Sequence, residues 1–271
     1  MPRPLSLAHL TCIDLAPPQM IAVAAECGYT SVDLRLAPAT PTDVDYPLFG
    51  DTAMRREVLS RMRDTGVGVY DVEIVRLTRD TEAAKNERLF EAAAALGAKR
   101  AKAIGIEKDE ALMTEKFAQV CRAAAPYGLT VDLEFVSFLG VRSHDAAVRV
   151  VRAAAQPNGN LLVDALHLSR SGGRPEDVAA LNGSLMGYIQ LCDAEADIPG
   201  DDPGKLREAR GERLAPGDGA LPLAALVRSV PEHFPISLEV PMSGGLMPAE
   251  RARRAISGMK RVLAGMMRSS A

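Results

Sequence analysis

The sequence predicts a single (β/α)8 barrel, and three observations support this fold class. Short apolar runs of strand length alternate with alanine-rich helical stretches from end to end, which is typical of a parallel sheet with helical crossovers. Eight such units are present, and 271 residues suit one barrel, which needs about 250. No linker, low-complexity block or change of composition divides the chain, so we expect one domain over residues 1–271.

The strands are predicted from the apolar runs, in chain order. They are expected at 5–10, 31–36, 67–76, 99–105, 129–136, 160–167, 186–193 and 235–240. Helices fill the intervals, for example over 80–97, with Asp80 or Thr81 as the cap and Gly97 as the stop. In AAECGYTSVDL and AAAPYGLTVDL a glycine ends the helix just before the next strand, as repeated βα units require.

Composition and charge restrict the classes of partner. The net charge of −3 and the charged fraction of 25% give no basic excess, so neither nucleic acid nor an anionic membrane is favoured. Apolar runs stop short of the roughly 18 residues of a membrane span, and MPRPLSLAHL lacks a signal-peptide core, so we expect a cytoplasmic protein. The four scattered cysteines are expected to be reduced, and Cys192, two positions after Gln190, faces the same side of its strand.

Four polar residues lie at the C-terminal ends of four successive apolar runs. They are Glu134 in LTVDLEF, Asp164 in NLLVDALHL, Gln190 in GYIQLCDA and Glu239 in PISLEV. An apolar run indicates a strand buried on both faces, so a carboxylate or amide at its end is unusual for simple packing. In a barrel of parallel strands these side chains meet at the mouth.

This set predicts one divalent metal ion, Mg2+ or Mn2+. Both ions prefer oxygen ligands in roughly octahedral geometry, and three carboxylates with one amide oxygen supply them. Without a cation, the three negative charges would repel one another. The alternative is that each residue is a separately hydrogen-bonded strand end, because barrel rims contain many polar groups.

Other residues near the predicted mouth are candidates for substrate contacts. His167 follows Asp164 in a βα-loop, where it can polarise or protonate a substrate oxygen, and His9 ends the first strand. Their alternative role is structural. Four histidines, with His144 and His233 in unfavourable positions, do not favour a multi-histidine zinc cluster.

Charged residues extend this list. Arg210 is favoured over Arg213 as a guanidinium that orients an oxygen-rich substrate, although both could be solvated loop charges. Arg35 and Glu73 are rim candidates, with an ion pair that holds the barrel together as the competing interpretation.

Two long irregular segments follow predicted strands. Loops of this length are functional or disordered, and residues 194–219, after the strand with Gln190, are predicted to cover the substrate. Residues 37–50 form the second segment. The glycine pairs of the chain match neither GxGxxG nor a P-loop, so no nucleotide site is predicted.

The motifs DLEF, VDALH, IQLCDA, RGERLAPGDG and SLEVP resemble those of the xylose isomerase-like TIM-barrel superfamily over nearly the whole chain. That superfamily includes sugar phosphate isomerases and epimerases, ketose 3-epimerases, inosose dehydratases, hydroxypyruvate isomerases and endonuclease IV. The resemblance implies that Glu134, Asp164, Gln190 and Glu239 bind the metal. It implies further that His167 and Arg210 contact the substrate.

Gln190 departs from the pattern of many epimerases in this group, which have histidine at that position. With its QxxDA context it is similar to the bacterial 3-dehydroshikimate dehydratase branch. Endonuclease IV is disfavoured, because its several metal-binding histidines and a basic groove are missing.

The leading hypothesis is a metal-dependent isomerase or epimerase of carbohydrate metabolism. It would remove the proton alpha to the carbonyl of a polyhydroxylated compound, with a metal-stabilised enediolate and with Glu134 and Glu239 as the acid/base pair. Expulsion of a beta hydroxyl would instead give a dehydratase-type lyase, acting on 3-dehydroshikimate or an inosose. A second alternative is a sugar-binding barrel without turnover. The expected partner is a small sugar or cyclic polyol-derived substrate, and a homo-oligomer is compatible with the sequence.

Overall fold

The computed structural model describes residues 3–39, 43–181 and 183–268, in which eight parallel strands close into a barrel. Each strand pairs with the next along the chain, and the last pairs with the first. The strands are β1 (Leu5–Ala8), β2 (Ser31–Arg35), β3 (Gly68–Leu77), β4 (Arg100–Gly105), β5 (Thr130–Glu134), β6 (Gly159–Asp164), β7 (Met186–Leu191) and β8 (Ile236–Leu238). The predicted (β/α)8 barrel is confirmed.

The helices of the described ranges pack around the strands and fill the connections between them. They are α1 (Pro17–Cys27), α2 (Ala53–Thr65), α3 (Glu87–Ala95), α4 (Glu110–Ala124), α5 (His144–Ala154), α6 (Ala165–Arg170), α7 (Pro175–Ala179), α8 (Asp202–Gly211), α9 (Leu223–Arg228) and α10 (Pro248–Arg268). In the described part of the chain, none of them combines the length and the apolar character needed to cross a membrane.

Several predicted strands end earlier than expected, and in two of them a helical turn starts at the barrel mouth. The strand predicted over 160–167 stops at Asp164, whose carboxylate accepts the backbone N–H of His167 at 3.0 Å and caps α6. His167 therefore lies in the first turn of a short helix, not in a loop. The strand predicted over 5–10 gives way to a 3-10 turn that starts at His9.

The helix predicted over 80–97 begins later in the structure. A 3-10 turn over Ala83–Asn86 precedes it, and the α-helix starts at Glu87. The predicted caps, Asp80 and Thr81, therefore do not cap it. The hydroxyl of Thr81 instead accepts the backbone N–H of Thr78 at 2.8 Å, which closes the turn after β3.

Glycines end the helical segments at the three predicted places. Gly28, Gly97 and Gly128 have φ angles of 83°, 76° and 70°. A side chain with a Cβ rarely adopts this left-handed conformation, so glycine allows the chain to turn directly into the next strand.

The barrel interior contains two layers of polar side chains. Residues two positions apart on a strand face the same side. Six strands carry such polar pairs within the strand or directly after it: Asp33 and Arg35, Asp71 and Glu73, Arg100 and Lys102, Asp132 and Glu134, Tyr188 and Gln190, Ser237 and Glu239.

The first members of these pairs bond to one another in the lower layer. Arg100 donates to Asp132 at 2.6 Å, and the Tyr188 hydroxyl donates to Asp71. The second members meet above them, at the C-terminal mouth, where active sites of this fold lie.

Candidate functional site

The structure brings the four predicted ligands together at the C-terminal end of the barrel. Glu134 and Asp164 are the last residues of β5 and β6, Gln190 lies near the end of β7, and Glu239 follows β8. Carboxylate oxygens of Glu134, Asp164 and Glu239 lie within 4.8 Å of one another, and all three residues are buried. The interpretation that they are four separate strand ends is therefore not supported by the geometry.

Lys102, on β4, lies among these residues. Its ammonium is 3.1 Å from Gln190 Oε1, 3.2 Å from Glu239 Oε1 and 3.8 Å from Glu134 Oε2. A fourth contact, at 3.0 Å, joins it to Glu73 Oε1. With 2% of its side chain exposed, Lys102 is a cation enclosed by oxygen atoms.

Arg213 supplies a second buried cation on the opposite side of the site. Its guanidinium pairs with Asp164 Oδ2 at 2.8 Å and with Glu239 Oε2 at 2.9 Å. It also contacts the sulfur of Cys192 at 3.5 Å, and burial raises the pKa of that thiol to about 12. Arg213 is thus not a solvated loop charge, because it holds two of the predicted ligands in place.

The two glutamates of the site differ in pKa. Burial raises the pKa of Glu134 to about 8, against the opposing charge of Lys102. Burial also disfavours the Glu239 carboxylate, but Lys102 and Arg213 outweigh burial and lower its pKa to about 2. The two pKa values are thus shifted in opposite directions, as in an acid/base pair whose members differ in environment.

A hydrogen-bonded chain from the lower layer orients the Gln190 amide. Gln190 Nε2 donates to Ser237 Oγ at 3.3 Å, and Ser237 donates to Asp33. Ser6 also donates to Asp33, at 2.6 Å. With Nε2 held from below, the amide oxygen accepts a hydrogen bond from Lys102 Nζ at 3.1 Å.

His167 lies beside the site and lines the cavity above it. Its Nδ1 is 3.3 Å from Ser137 Oγ, and its ring meets the Phe138 ring edge to face. Burial lowers the pKa of His167 to about 4, so the ring is neutral at neutral pH and can donate or accept one hydrogen bond.

Arg35 and Glu73 form an ion pair of 2.9 Å, and both also line the cavity. The two sequence interpretations, rim residue and structural ion pair, therefore both describe them. His9 differs: its Nδ1 accepts the N–H of Arg35 and its Nε2 is 3.0 Å from the carbonyl of Leu15. Within the described ranges, the residues that line the cavity do not include His9. A substrate contact by His9 stays a sequence prediction.

The cavity above the four ligands has a volume of about 770 Å³. Lys102, Glu134 and Glu239 form part of its wall. Much of the remaining wall is apolar, with contributions from Leu10, Ile74, Ile104, Val136, Phe138, Leu139, Pro203 and Leu206. Such a cavity accepts a ligand with one polar, oxygen-rich edge and one carbon-rich face.

The segment 194–219 contributes α8 to one wall of this cavity, and its role in covering a substrate stays a prediction. Leu206 and Arg210 of α8 line the cavity, and Arg210 is exposed to solvent at its rim. Arg210 therefore stays a predicted substrate contact. Residues 40–42 of the second predicted segment lie outside the described residues, while Ala39 lines the cavity.

Two buried interactions fix the segment 194–219. The carboxylate of Asp193 accepts the backbone N–H groups of Gly217 at 2.8 Å and Leu221 at 2.9 Å. Arg170 of α6 pairs with Glu208 of α8, with Nε 2.9 Å from Oε2. Asp193 of the QxxDA motif therefore acts on loop structure, and α8 is anchored to the barrel.

The oxygen donors of the site fit a hard divalent cation. Glu134, Asp164 and Glu239 supply carboxylate oxygens, and Gln190 supplies an amide oxygen that shares the Lys102 ammonium with Glu239. Mg2+ and Mn2+ prefer such donors. These four residues would hold the ion, and the ammonium of Lys102 shows that the same oxygens already attract positive charge.

The sequence interpretation missed Lys102 and undervalued Arg213. Lys102 stands between two alanines in KRAKAIG, and a charge inside a buried strand is the signal that identified Glu134. Arg213 gave no comparable signal, because it lies in a loop-rich segment whose path a sequence does not reveal.

Comparison with known proteins identifies the family of this chain. The family model described as Xylose isomerase-like TIM barrel matches residues 21–262. A 3-dehydroshikimate dehydratase from Pseudomonas aeruginosa is 30% identical over an alignment of 278 residues. The alignment covers 95% of this chain but 41% of the relative, so the chain spans about two-fifths of that protein's length.

Two solved structures share the fold. The IolI protein, with a bound zinc atom, has a TM-score of 0.78 at 18% identity, and the match covers 97% of this chain and 99% of that one. D-Allulose 3-epimerase from Methylomonas sp. has a TM-score of 0.72 at 15% identity, with coverage of 96% and 98%. The family match over most of the sequence, together with the closed barrel, shows that this chain belongs to the xylose isomerase-like TIM-barrel family.

Proposed function

We propose that this protein is a divalent-metal-dependent enzyme that removes a proton alpha to a carbonyl and then expels a beta hydroxyl as water. The substrate would be a cyclic, polyhydroxylated ketone that carries a carboxylate, as 3-dehydroshikimate does. The observation that carries the proposal is the cluster of three buried carboxylates, of which Glu134 and Glu239 line a large cavity. When bound there, the ion would polarise the substrate carbonyl as a Lewis acid.

The residues of the site have distinct roles in this proposal. Glu134 and Glu239, both within reach of Lys102, would exchange the substrate proton between carbon and the departing hydroxyl. A C–H and a C–O bond break, a C=C bond forms, and the removed proton forms an O–H bond with the departing hydroxyl, which leaves as water. Neutral His167 would donate a hydrogen bond to a substrate oxygen from the cavity wall.

Two features support a cyclic carboxylate as the substrate. The apolar wall around Phe138 and Leu139 suits the carbon face of a ring better than an open chain of hydroxyls. Arg76 and Arg210 line the same cavity and suit a carboxylate, which a guanidinium binds with two hydrogen bonds. The dehydratase from Pseudomonas aeruginosa, similar over 95% of this chain, also supports this choice.

Isomerisation or epimerisation of a ketose is the second candidate function. The same proton removal followed by return of the proton to another carbon or face gives this outcome. The fold shared with D-allulose 3-epimerase is compatible with it, although 15% identity supports the fold alone.

The test is a substrate panel with the purified chain. Protein stripped with chelator and reloaded with Mn2+, Mg2+ or Zn2+ would be incubated with 3-dehydroshikimate, D-allulose and D-fructose. Loss of one water and growth of aromatic ultraviolet absorption support the dehydratase, and a product of unchanged mass supports the isomerase. Binding without turnover of any compound would refute both and favour the sugar-binding barrel.

A substitution at Glu134 tests the acid/base assignment. Glu134→Gln is expected to lower kcat by about 10²–10⁴-fold, because the side chain can no longer transfer a proton. Glu57→Gln is the matched control, since Glu57 is exposed on α2 and pairs only with Arg61 among the ion pairs of the described residues. Equal activity of the two variants would remove Glu134 from the proposed chemistry.

A further inference from the structure

The buried ammonium of Lys102 occupies the space that a metal ion would need. It lies 3.1 Å from Gln190 Oε1, 3.2 Å from Glu239 Oε1 and 3.8 Å from Glu134 Oε2, which are oxygens of three of the four candidate ligands. Only 2% of the lysine side chain is exposed. No other lysine of the described residues is as buried.

A divalent ion and this ammonium cannot share that space. Oxygen ligands hold Mg2+ or Mn2+ at about 2.0–2.2 Å, so an ion bound to Gln190 and Glu239 would lie close to the observed position of Lys102 Nζ. Two positive charges a few ångström apart in a buried site repel strongly. One cation must therefore leave when the other enters.

Glu73 is a partner that the Lys102 ammonium can keep when it moves away from the ligand oxygens. This place beside Glu73 is the second position of the ammonium. Its Oε1 is 3.0 Å from the ammonium, is buried, and forms no hydrogen bond of good geometry. Its other oxygen is held by Arg35 at 2.9 Å, so the carboxylate is fixed beside the site without belonging to the ligand set. The long, flexible lysine stem allows the ammonium to move towards Glu73 while its strand stays in place.

We propose that Lys102 is an internal competitor for the metal: its ammonium neutralises the ligand carboxylates in the metal-free protein and withdraws to Glu73 when a divalent ion binds. This inference rests on the proposed metal site. Two consequences follow for the protein. The ligand carboxylates stay together without an ion, because Lys102 balances their charge. The affinity for metal is lower than the same four ligands would give without Lys102.

The first experiment measures Mn2+ affinity, not activity. Chelator-stripped protein would be titrated with Mn2+ by isothermal calorimetry for the natural chain, Lys102→Met and the control Lys99→Met, whose lysine is exposed directly before the same strand. We expect Lys102→Met to bind Mn2+ at least tenfold more tightly, and Lys99→Met to match the natural chain. Equal or weaker binding by Lys102→Met would overturn the inference.

A substitution at Glu73 should change the Mn2+ affinity in the opposite direction. Glu73→Gln weakens the second position of the ammonium, so we expect it to reduce Mn2+ affinity in the natural chain. If Glu73 acts through Lys102, the reduction should be much smaller in a Lys102→Met background. An equal reduction in both backgrounds would show that Glu73 attracts the ion directly and that no withdrawal takes place.

Crystal structures of the natural chain with chelator and with Mn2+ test the movement even if Lys102→Met does not fold. We expect the distance from Lys102 Nζ to Gln190 Oε1 to lengthen in the Mn2+ form while the contact with Glu73 remains. A bound ion with Lys102 unmoved would overturn the inference and leave the proposed function intact. Failure of both the natural chain and Lys102→Met to bind Mn2+ would overturn both.

Discussion

Replacing Arg213 by glutamine should destabilise the protein strongly, because it removes a buried cation shared by two carboxylates. The guanidinium pairs with Asp164 at 2.8 Å and Glu239 at 2.9 Å and is 2% exposed. Removal of one partner of a buried ion pair costs about 3–5 kcal/mol, since it leaves uncompensated buried charge. At about 2.1 cal/mol/K per residue, the unfolding entropy of 271 residues converts that cost into a fall in Tm of roughly 5–9 °C.

Differential scanning calorimetry of chelator-treated protein measures this change. Arg210→Gln is the matched control: it lies on the same segment but is exposed, so we expect a change within about 0.5 kcal/mol and a Tm shift near 1 °C. Saturating Mn2+ should recover part of the loss for the Arg213 variant, because a bound ion replaces the missing positive charge. The reasoning is wrong if both variants melt within about 1 °C of the natural chain.

Three further predictions concern the same end of the barrel. Burial lowers the pKa of His167 to about 4, so between pH 6.5 and 4 the unfolded chain binds a proton that the folded chain does not. The free energy of unfolding should therefore fall by up to about 3 kcal/mol as the pH drops through that window. His167→Gln should reduce this pH dependence, measured by urea unfolding. Ser237→Ala releases the amide ligand and should weaken Mn2+ binding by about 10-fold in calorimetry, whereas Ser6→Ala, which contacts the same aspartate, should not. Asp193→Ala removes the acceptor of several loop N–H groups, so limited proteolysis should cut within 194–219 faster than in the natural chain; an unchanged rate would contradict that role.

The barrel itself could be predicted because its strands are continuous apolar runs. Buried parallel strands need apolar side chains on both faces, so each run stands out, and a carboxylate such as Glu134 at its end is conspicuous. The same logic found Asp164, Gln190 and Glu239; the structure clusters the carboxylates, and Lys102 links Gln190 to Glu239. Strand ends were less well predicted, because capping by Asp164 is a tertiary event at the mouth.

The polar interior could have been predicted more fully than it was. Sequence pairs such as Asp132 with Glu134 and Arg100 with Lys102 have the spacing of two that places side chains on one face of a strand. Sequence spacing does not reveal which of these side chains contact one another across the barrel. The contacts of Lys102 with Glu73 and Glu239 join residues of β4, β3 and the end of β8, and they depend on barrel closure.

The anchored helix α8 has a consequence for redesigning this protein. Its buried side, through Glu208 and Arg170, fixes its position, while Leu206, 41% exposed, and Arg210 face the cavity from the other side. The residues that line the cavity and the residues that anchor the helix therefore lie on different sides of α8. We expect a combinatorial library limited to Leu206 and Arg210 to change the ligand selectivity of the cavity while the anchoring contacts of α8 keep the fold.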